Sequence, residues 1–306
     1  RNFANKIWNA SRFVMLNLEG IDDKPLDKKT LTVSDRWILH KLNSTAKEIN
    51  DYYKVFRIGE IAQSLYDFFW NDYCDWYVEI AKVQLNDKTQ KQNTQRVLKY
   101  VLEETLKMLH PIMPHITESI WQLMPFKRAE SIMVSEHPVY NSAYDDAVSE
   151  NKMDLIIQAV KSLRNIRQVF NIPPSIKIKA AFYCEDKSEK AILEEGRLLI
   201  ASLAKTEEPT FATGVPSDIS GCASAVAGNF KIVVPLAGLI DIDKEIERQK
   251  KKLEVLDKEK QGLLGRFKNQ KFVESAPEEV VLLTKERIAE IEKQSCAICE
   301  LIKSLA

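Results

Sequence analysis

Residues 65–82 read LYDFFWNDYCDWYVEIAK, and no other stretch limits the possible fold so sharply. Leu65, Phe69, Tyr73, Trp76 and Ile80 recur at steps of three and four, which places them on one face of a helix. Phe68, Trp70 and Tyr77 fall off that face, so the helix carries aromatic bulk on more than one side and must be covered on more than one side. The expectation is an inner helix of a bundle, each buried ring stabilising the core by roughly 1.5–3 kcal/mol. Asp67, Asp72, Asp75 and Glu79 stand among the rings without a paired histidine. They read as partners for nearby bases, not as metal ligands.

The chain has 306 residues, room for two or three domains. Glycine and proline are sparse, 9 and 11, which favours helix over loop-rich β architecture. Charged residues interrupt every apolar run before membrane-spanning length, and five scattered cysteines fit reduced thiols. The absence of a basic-then-apolar leader gives no mark of secretion, so a cytoplasmic location is expected. Arg1 in place of Met, inside a helix already under way, suggests a piece of a longer polypeptide. Formal net charge is zero, so affinity for nucleic acid has to come from local patches.

Residues 1–17 form a helix with Phe3, Ile7, Ser11, Val14 and Leu18 inward and Gly20 as its stop. Its polar side holds Arg1, Asn2, Asn5, Lys6, Asn9 and Arg12, with no acid before Glu19. Ser34 reads as the cap of a second helix striped by Ile38, Leu42, Thr45, Ile49 and Tyr52, and Val97, Val101, Leu102, Thr105 and Leu109 stripe another. Pro111 and Pro114 break that one, and a short helix through Ile120 and Trp121 ends at Pro125. Residues 1–140 are thus an all-α bundle. Residues 141–236 change texture to a small α+β unit. A long helix over 143–170 carries Arg164 and Arg167 on its flank, and a strand spans 176–183. A single helix follows over 185–204, then a hairpin turning at Gly228-Asn229.

Residues 237–306 carry two heptad runs. Leu239, Ile242, Ile246, Gln249, Leu253, Leu256, Lys260, Leu263 and Phe267 are core positions of the first; Val281, Thr284, Ile288, Ile291, Ser295, Ile298, Ile302 and Leu305 of the second. The short gap between them implies an antiparallel coiled-coil hairpin roughly 40 Å long at ~1.5 Å per residue. Gly262 and Gly265 weaken or bend it near the tip.

No Gly-rich phosphate loop, Ser/His/Asp order or metalloprotease motif occurs, so no catalytic residue is assigned. His110 and His115 bracket two prolines and suit capping or packing. Cys296 and Cys299 form one C-x-x-C without the further ligands a structural zinc needs, so no metal is assigned. Charge placement remains. From 248 to 268 there are eight basic residues (Arg248, Lys250, Lys251, Lys252, Lys258, Lys260, Arg266 and Lys268) against Glu254, Asp257 and Glu259. Such an edge can follow a phosphate backbone, and it equally suits a solvated coiled-coil face. Phe267 and Phe272 beside Arg266, Lys268, Asn269 and Lys271 combine stacking surfaces with phosphate binders, or simply pack the tip.

The segments RNFANKIWNASRFV, SDRWILHKLN, YDFFWNDYCDWYVEIAK, LHPIMPHITESIWQ and IRQVFNIPPS resemble the anticodon-binding region of the valyl-tRNA synthetase family. PLAGLIDIDKEIERQKKKL and KNQKFVESAPEEVV resemble the family's C-terminal coiled-coil arm. The bundle motifs alone are shared more loosely with the leucine, isoleucine and methionine enzymes. A leucyl or isoleucyl counterpart, or a helical scaffold that binds proteins, are the alternatives. The cysteine-rich terminal zinc segment common in isoleucine enzymes is missing here.

The resemblance implies a mainly α chain that holds tRNA(Val) as part of a monomeric ligase. The helix bundle takes the anticodon loop, and the coiled coil takes the outer corner of the tRNA. Catalytic and editing domains of the same polypeptide lie outside this stretch, so ATP and Mg belong to the parent enzyme and no cofactor to this part. Carried onto residues, Arg1, Asn2, Asn5, Lys6, Asn9 and Arg12 meet the anticodon loop. Arg164 and Arg167 flank that loop, unless they pair with acids of the bundle. Lys251, Arg266, Phe267, Lys268 and Phe272 meet the outer corner. His137 stands where the family commonly has Trp before the proline, a difference expected to alter local packing only.

Overall fold

The aromatic stretch lies in one uninterrupted helical rod whose middle is wound differently from its ends. α3 (Ile58–Asp67) passes into a π-helical segment, Phe68–Tyr77, and then into α4 (Val78–Gln84). The π winding brings Phe69, Tyr73 and Tyr77 into one column, with ring centroids 5.4 and 6.2 Å apart. Tyr77 therefore joins the face from which α-helical spacing excluded it. Leu65, Phe68, Phe69, Tyr73, Trp76, Tyr77 and Ile80 are all buried, so the rod is covered on several sides as expected.

The computed structural model describes residues 1–127, 129–216, 219–268 and 278–305, except the side chains of 266–268, 278, 301 and 303–305. Two units result, Arg1–Ile157 and Gln158–Ala306. In the first, α1 (Asn2–Asn17) buries Ile7, Ala10, Ser11 and Val14. α2 (Val33–Lys54) is capped by Thr32, two residues before the expected cap. Thr32 and Asp35 form a reciprocal capping box, while Ser34 is buried inside the first turn. The reason is spacing: Thr32 has an acid three residues on, whereas Ser34 has Trp37 there. The buried Asp35 carboxylate accepts from Thr32 N (2.9 Å) and Tyr77 Oη (2.7 Å), tying α2 to the aromatic column.

α5 (Lys91–Leu109) buries the expected Val97, Val101, Leu102, Thr105 and Leu109. Its last turn leads into α6 (Pro114–Leu123), which has proline at its N-terminus, where the missing N–H costs nothing. His110 Nδ1 lies 2.7 Å from Thr117 Oγ1 across this junction, a packing role. His137 sits edge-to-face on Tyr53, centroids 5.7 Å apart. α7 (Ala147–Val169) begins four residues later than its periodicity suggests, because Ser142–Tyr144 forms a separate turn capped by Asn141.

The second unit contains a four-stranded sheet in the order β2-β1-β4-β3. β1 (Ala181–Cys184) pairs antiparallel with β4 (Phe230–Pro235), and β4 with β3 (Cys222–Ala227) across the expected two-residue turn. Gly228 adopts φ 57° there, a conformation that favours glycine at a tight hairpin. β2 (Thr210–Ala212), parallel to β1, has too few residues to show an alternating pattern. The single helix expected over 185–204 is two, α8 (Lys187–Glu195) and α9 (Arg197–Ala204), parted at Gly196.

α10 (Ile242–Lys268) and α11 (Glu278–Leu305) pair antiparallel. Arg287 Nε meets Glu259 Oε1 at 2.8 Å and Lys260 meets Glu292 at 2.9 Å. Leu256, Ile291 and Ile298 form the seam, with Leu253, Leu263 and Ile302 against them. α10 runs without a break through Gly262 and Gly265. Among the described residues no helix is long and apolar enough to cross a membrane.

Candidate nucleic-acid interface

Two surfaces carry the residues singled out by sequence. The first is the outer side of α1. Apolar residues at helical spacing turn one stripe of this helix inward, which leaves Arg1, Asn2, Asn5, Asn9 and Arg12 exposed on the other side. Lys6 is placed differently. Its ammonium lies 2.7 Å from Asp75 Oδ1 and 4.8 Å from the centre of the Trp70 ring, so it fastens α1 to the π-helical segment. The attachment continues through Phe3, tilted against Tyr66 and edge-to-face on Phe69, with centroids 4.9 and 6.0 Å apart. The outer face of α1 is thereby held on the aromatic rod.

Trp8 belongs to the same outer face and was missed by a tally of polar residues. It is 44% exposed and stands three and four residues from Asn5 and Arg12, the spacing at which helical side chains are neighbours. Its signal was present in the sequence: Trp8 lies beside the buried stripe of Ile7 and Ser11, not on it. A guanidinium, two amides and an indole face together can bind phosphate, read base edges and stack a base.

Arg164 and Arg167 lie on α7, within the second unit. Arg164 donates through Nε and Nη2 to the Leu203 carbonyl at 3.3 and 3.1 Å. Arg167 is buried, and its guanidinium donates to four carbonyls: Ala204 (2.9 Å), Pro173 (3.0 Å), Ile176 (2.7 Å) and Lys205. These carbonyls come from the end of α9 and from the loop after α7, segments whose backbone acceptors have no helix or sheet partner there. Burial holds the Arg167 pKa below its usual range without discharging it. Arg167 is thus a bracket inside the second unit, with its guanidinium turned to backbone carbonyls.

The second surface is the basic edge of α10. Lys250, Lys251, Lys252 and Lys258 are exposed. Lys251 pairs with Glu247 at 2.8 Å one turn away, and the contact raises the lysine pKa and lowers that of the glutamate. An exposed pair of this kind is weak enough to be exchanged for a phosphate. Lys260 is turned to Glu292, and Arg248 to Glu245 at 2.7 Å. Of the other arm residues named from the sequence, the side chains of Arg266, Phe267 and Lys268, and all of Phe272, lie outside the described residues. Cys296 and Cys299 are exposed thiols one turn apart on α11. Among the described residues no group of three or more His, Cys, Asp or Glu side chains could hold a metal ion.

Residues 35–182 match the family model of the anticodon-binding domain of tRNA ligase, and residues 241–306 match that of the valyl tRNA synthetase tRNA binding arm. Curated relatives align along the whole chain. A valine–tRNA ligase of Listeria innocua is 39% identical over 99% of it, and one of Geobacter sulfurreducens is 39% identical over all of it. One of Synechocystis is 34% identical, again over the full chain. In each case the chain spans about a third of the relative's length, 35%.

Proposed function

We propose that this chain, related from end to end to the C-terminal third of valine–tRNA ligases, is the part of such an enzyme that holds tRNA(Val). The outer face of α1 receives the anticodon loop, and the basic edge of α10 lies along the outer corner of the tRNA. The observation that carries this reading is the exposed constellation of Asn5, Trp8, Asn9 and Arg12 on a helix fastened to the aromatic rod through Lys6. The exposed lysines of α10 support the second contact.

The chemistry belongs elsewhere in the polypeptide. We assign valine activation and editing to the remaining two thirds of the relatives' length, and the chain works as a monomer in the cytoplasm. Division into segments 1–140, 141–236 and 237–306 belongs to the same reading.

Filter binding of the 306-residue chain to tRNA(Val), across a salt series, tests it. Affinity falls as salt rises, by about one unit of log–log slope for each phosphate contact. Arg12→Glu weakens binding and narrows the margin between tRNA(Val) and anticodon variants. Arg266→Glu weakens binding and leaves that margin unchanged. Binding that ignores tRNA identity in the wild-type chain would mean a helical scaffold instead.

A further inference from the structure

Where the last turns of α7 meet β3 and the root of the α10–α11 pair, there is a cleft of about 650 Å3. That is within the size range of small-ligand sites, about 300–1,000 Å3. Its floor is apolar: Ile166, Phe170 and Ile298 are buried side chains that face it, with Ala225 of β3 beside them. Its walls carry the amides of Asn165, Gln168, Gln249 and Gln294, and its rim carries Arg248 and Lys252. No acid lines it. Arg248 is fixed at the mouth, donating to the Val169 carbonyl at 2.5 Å and to Glu245 at 2.7 Å.

An apolar floor covers a flat ring, and rim cations take a phosphate. The Asn165 and Gln168 amides offer donors and acceptors to the ring edge, and Gln249 and Gln294 offer their carbonyl oxygens, since their Nε2 atoms donate to Glu245 and Glu290. We propose that this cleft takes one unpaired nucleotide of the RNA, base inward and phosphate at Lys252 and Arg248. The assignment to RNA rests on the reading that α10 holds tRNA, since the rim is continuous with the exposed lysines of that helix. The cleft differs from the α10 edge in what it recognises. The edge binds backbone charge, and the cleft binds a base.

Two variants of the full chain test this. Ala225→Trp fills the cleft without removing a charge, and Lys252→Glu reverses the rim at an exposed position where folding is not at stake. Thermal melting followed by circular dichroism verifies the fold of each. Both variants are expected to bind tRNA(Val) about tenfold more weakly, the effect of losing one stacked base. In chemical probing, a single nucleotide shielded by the wild-type chain regains its reactivity in both. Wild-type binding with affinity and protection unchanged in both variants overturns the cleft assignment and leaves the proposed function standing. No tRNA binding by the wild-type chain overturns both. AMP serves as a free-nucleotide probe. AMP binding that is lost in Ala225→Trp while tRNA binding is unchanged overturns the assignment to RNA.

Discussion

The Lys6 ammonium and the Asp75 carboxylate meet at 2.7 Å, and this pair joins α1 to the π-helical segment. Both groups are partly open to water, so the pair contributes a modest amount, about 0.5–1 kcal/mol including the contact with Trp70. Lys6→Gln is therefore expected to lower the urea midpoint slightly. It leaves the preference of the chain among anticodon variants intact, whereas Arg12→Glu reduces it. Equal loss of preference in the two variants would put Lys6 on the RNA and not on Asp75.

The four carbonyls on Arg167 make a different case. Replacing it by methionine keeps the aliphatic stem and removes every donor, so four carbonyls lose the guanidinium at once, and only that of Pro173 keeps another donor, Ile176 N. The expected loss is about 3 kcal/mol or more in unfolding free energy. Arg167→Lys recovers only part of it, because one ammonium cannot span carbonyls from two segments. Below the melting transition, affinity for tRNA per folded molecule stays at the wild-type value in both variants. A large affinity loss in a fully folded Arg167→Lys chain would return this residue to the RNA surface.

Arg167 also marks where sequence reading stops. Its spacing from Arg164 resembles an exposed basic pair, and the acceptors that bury it come from residues up to 38 positions away, which no local pattern records. The heptads of α10 and α11 were legible because a coiled-coil seam repeats its own period, and Leu256, Ile291 and Ile298 fall where that period puts them. The aromatic rod was legible as a buried helix. Its π winding was not, and neither was the bond from Tyr77 to Asp35 on another helix, which no local pattern records. Trp8 was legible on a helical wheel but not in a count of charges and amides. The root cleft was invisible, because its walls come from three separate elements.

Gly262 and Gly265 sit inside α10 with no heavy atom within 4 Å of where a Cβ would stand. Neither has a positive φ, so nothing in the fold requires glycine at these positions. Alanine at each is expected to stabilise the helix by about 1 kcal/mol. The gain appears as slower amide hydrogen exchange along α10. No gain at either position would mean that glycine serves a bend in α10 when RNA is bound.

Asp72 gives the fold an unusual pH response. Burial raises its pKa to about 6, opposed by Lys41 of α2 and reinforced by Asp154 and Glu150 of α7 and by Asp67 of α3. A carboxyl that keeps its proton longer in the folded chain than in the unfolded one destabilises the fold once it ionises. Between its ordinary value of 3.8 and about 6 the folded state binds more protons, so this group lowers stability as pH rises through that window. Asp72→Asn removes the ionisation and should stabilise the chain at pH 7.5 by about 1–2 kcal/mol, allowing for partial exposure. The gain should shrink through pH 5, be small at pH 4 and vanish well below 3.8, where aspartate is neutral in both states. Urea midpoints of the two chains at pH 4, 5 and 7.5 measure it. A difference that stays constant across the three values would assign the effect to packing around the side chain instead of its charge.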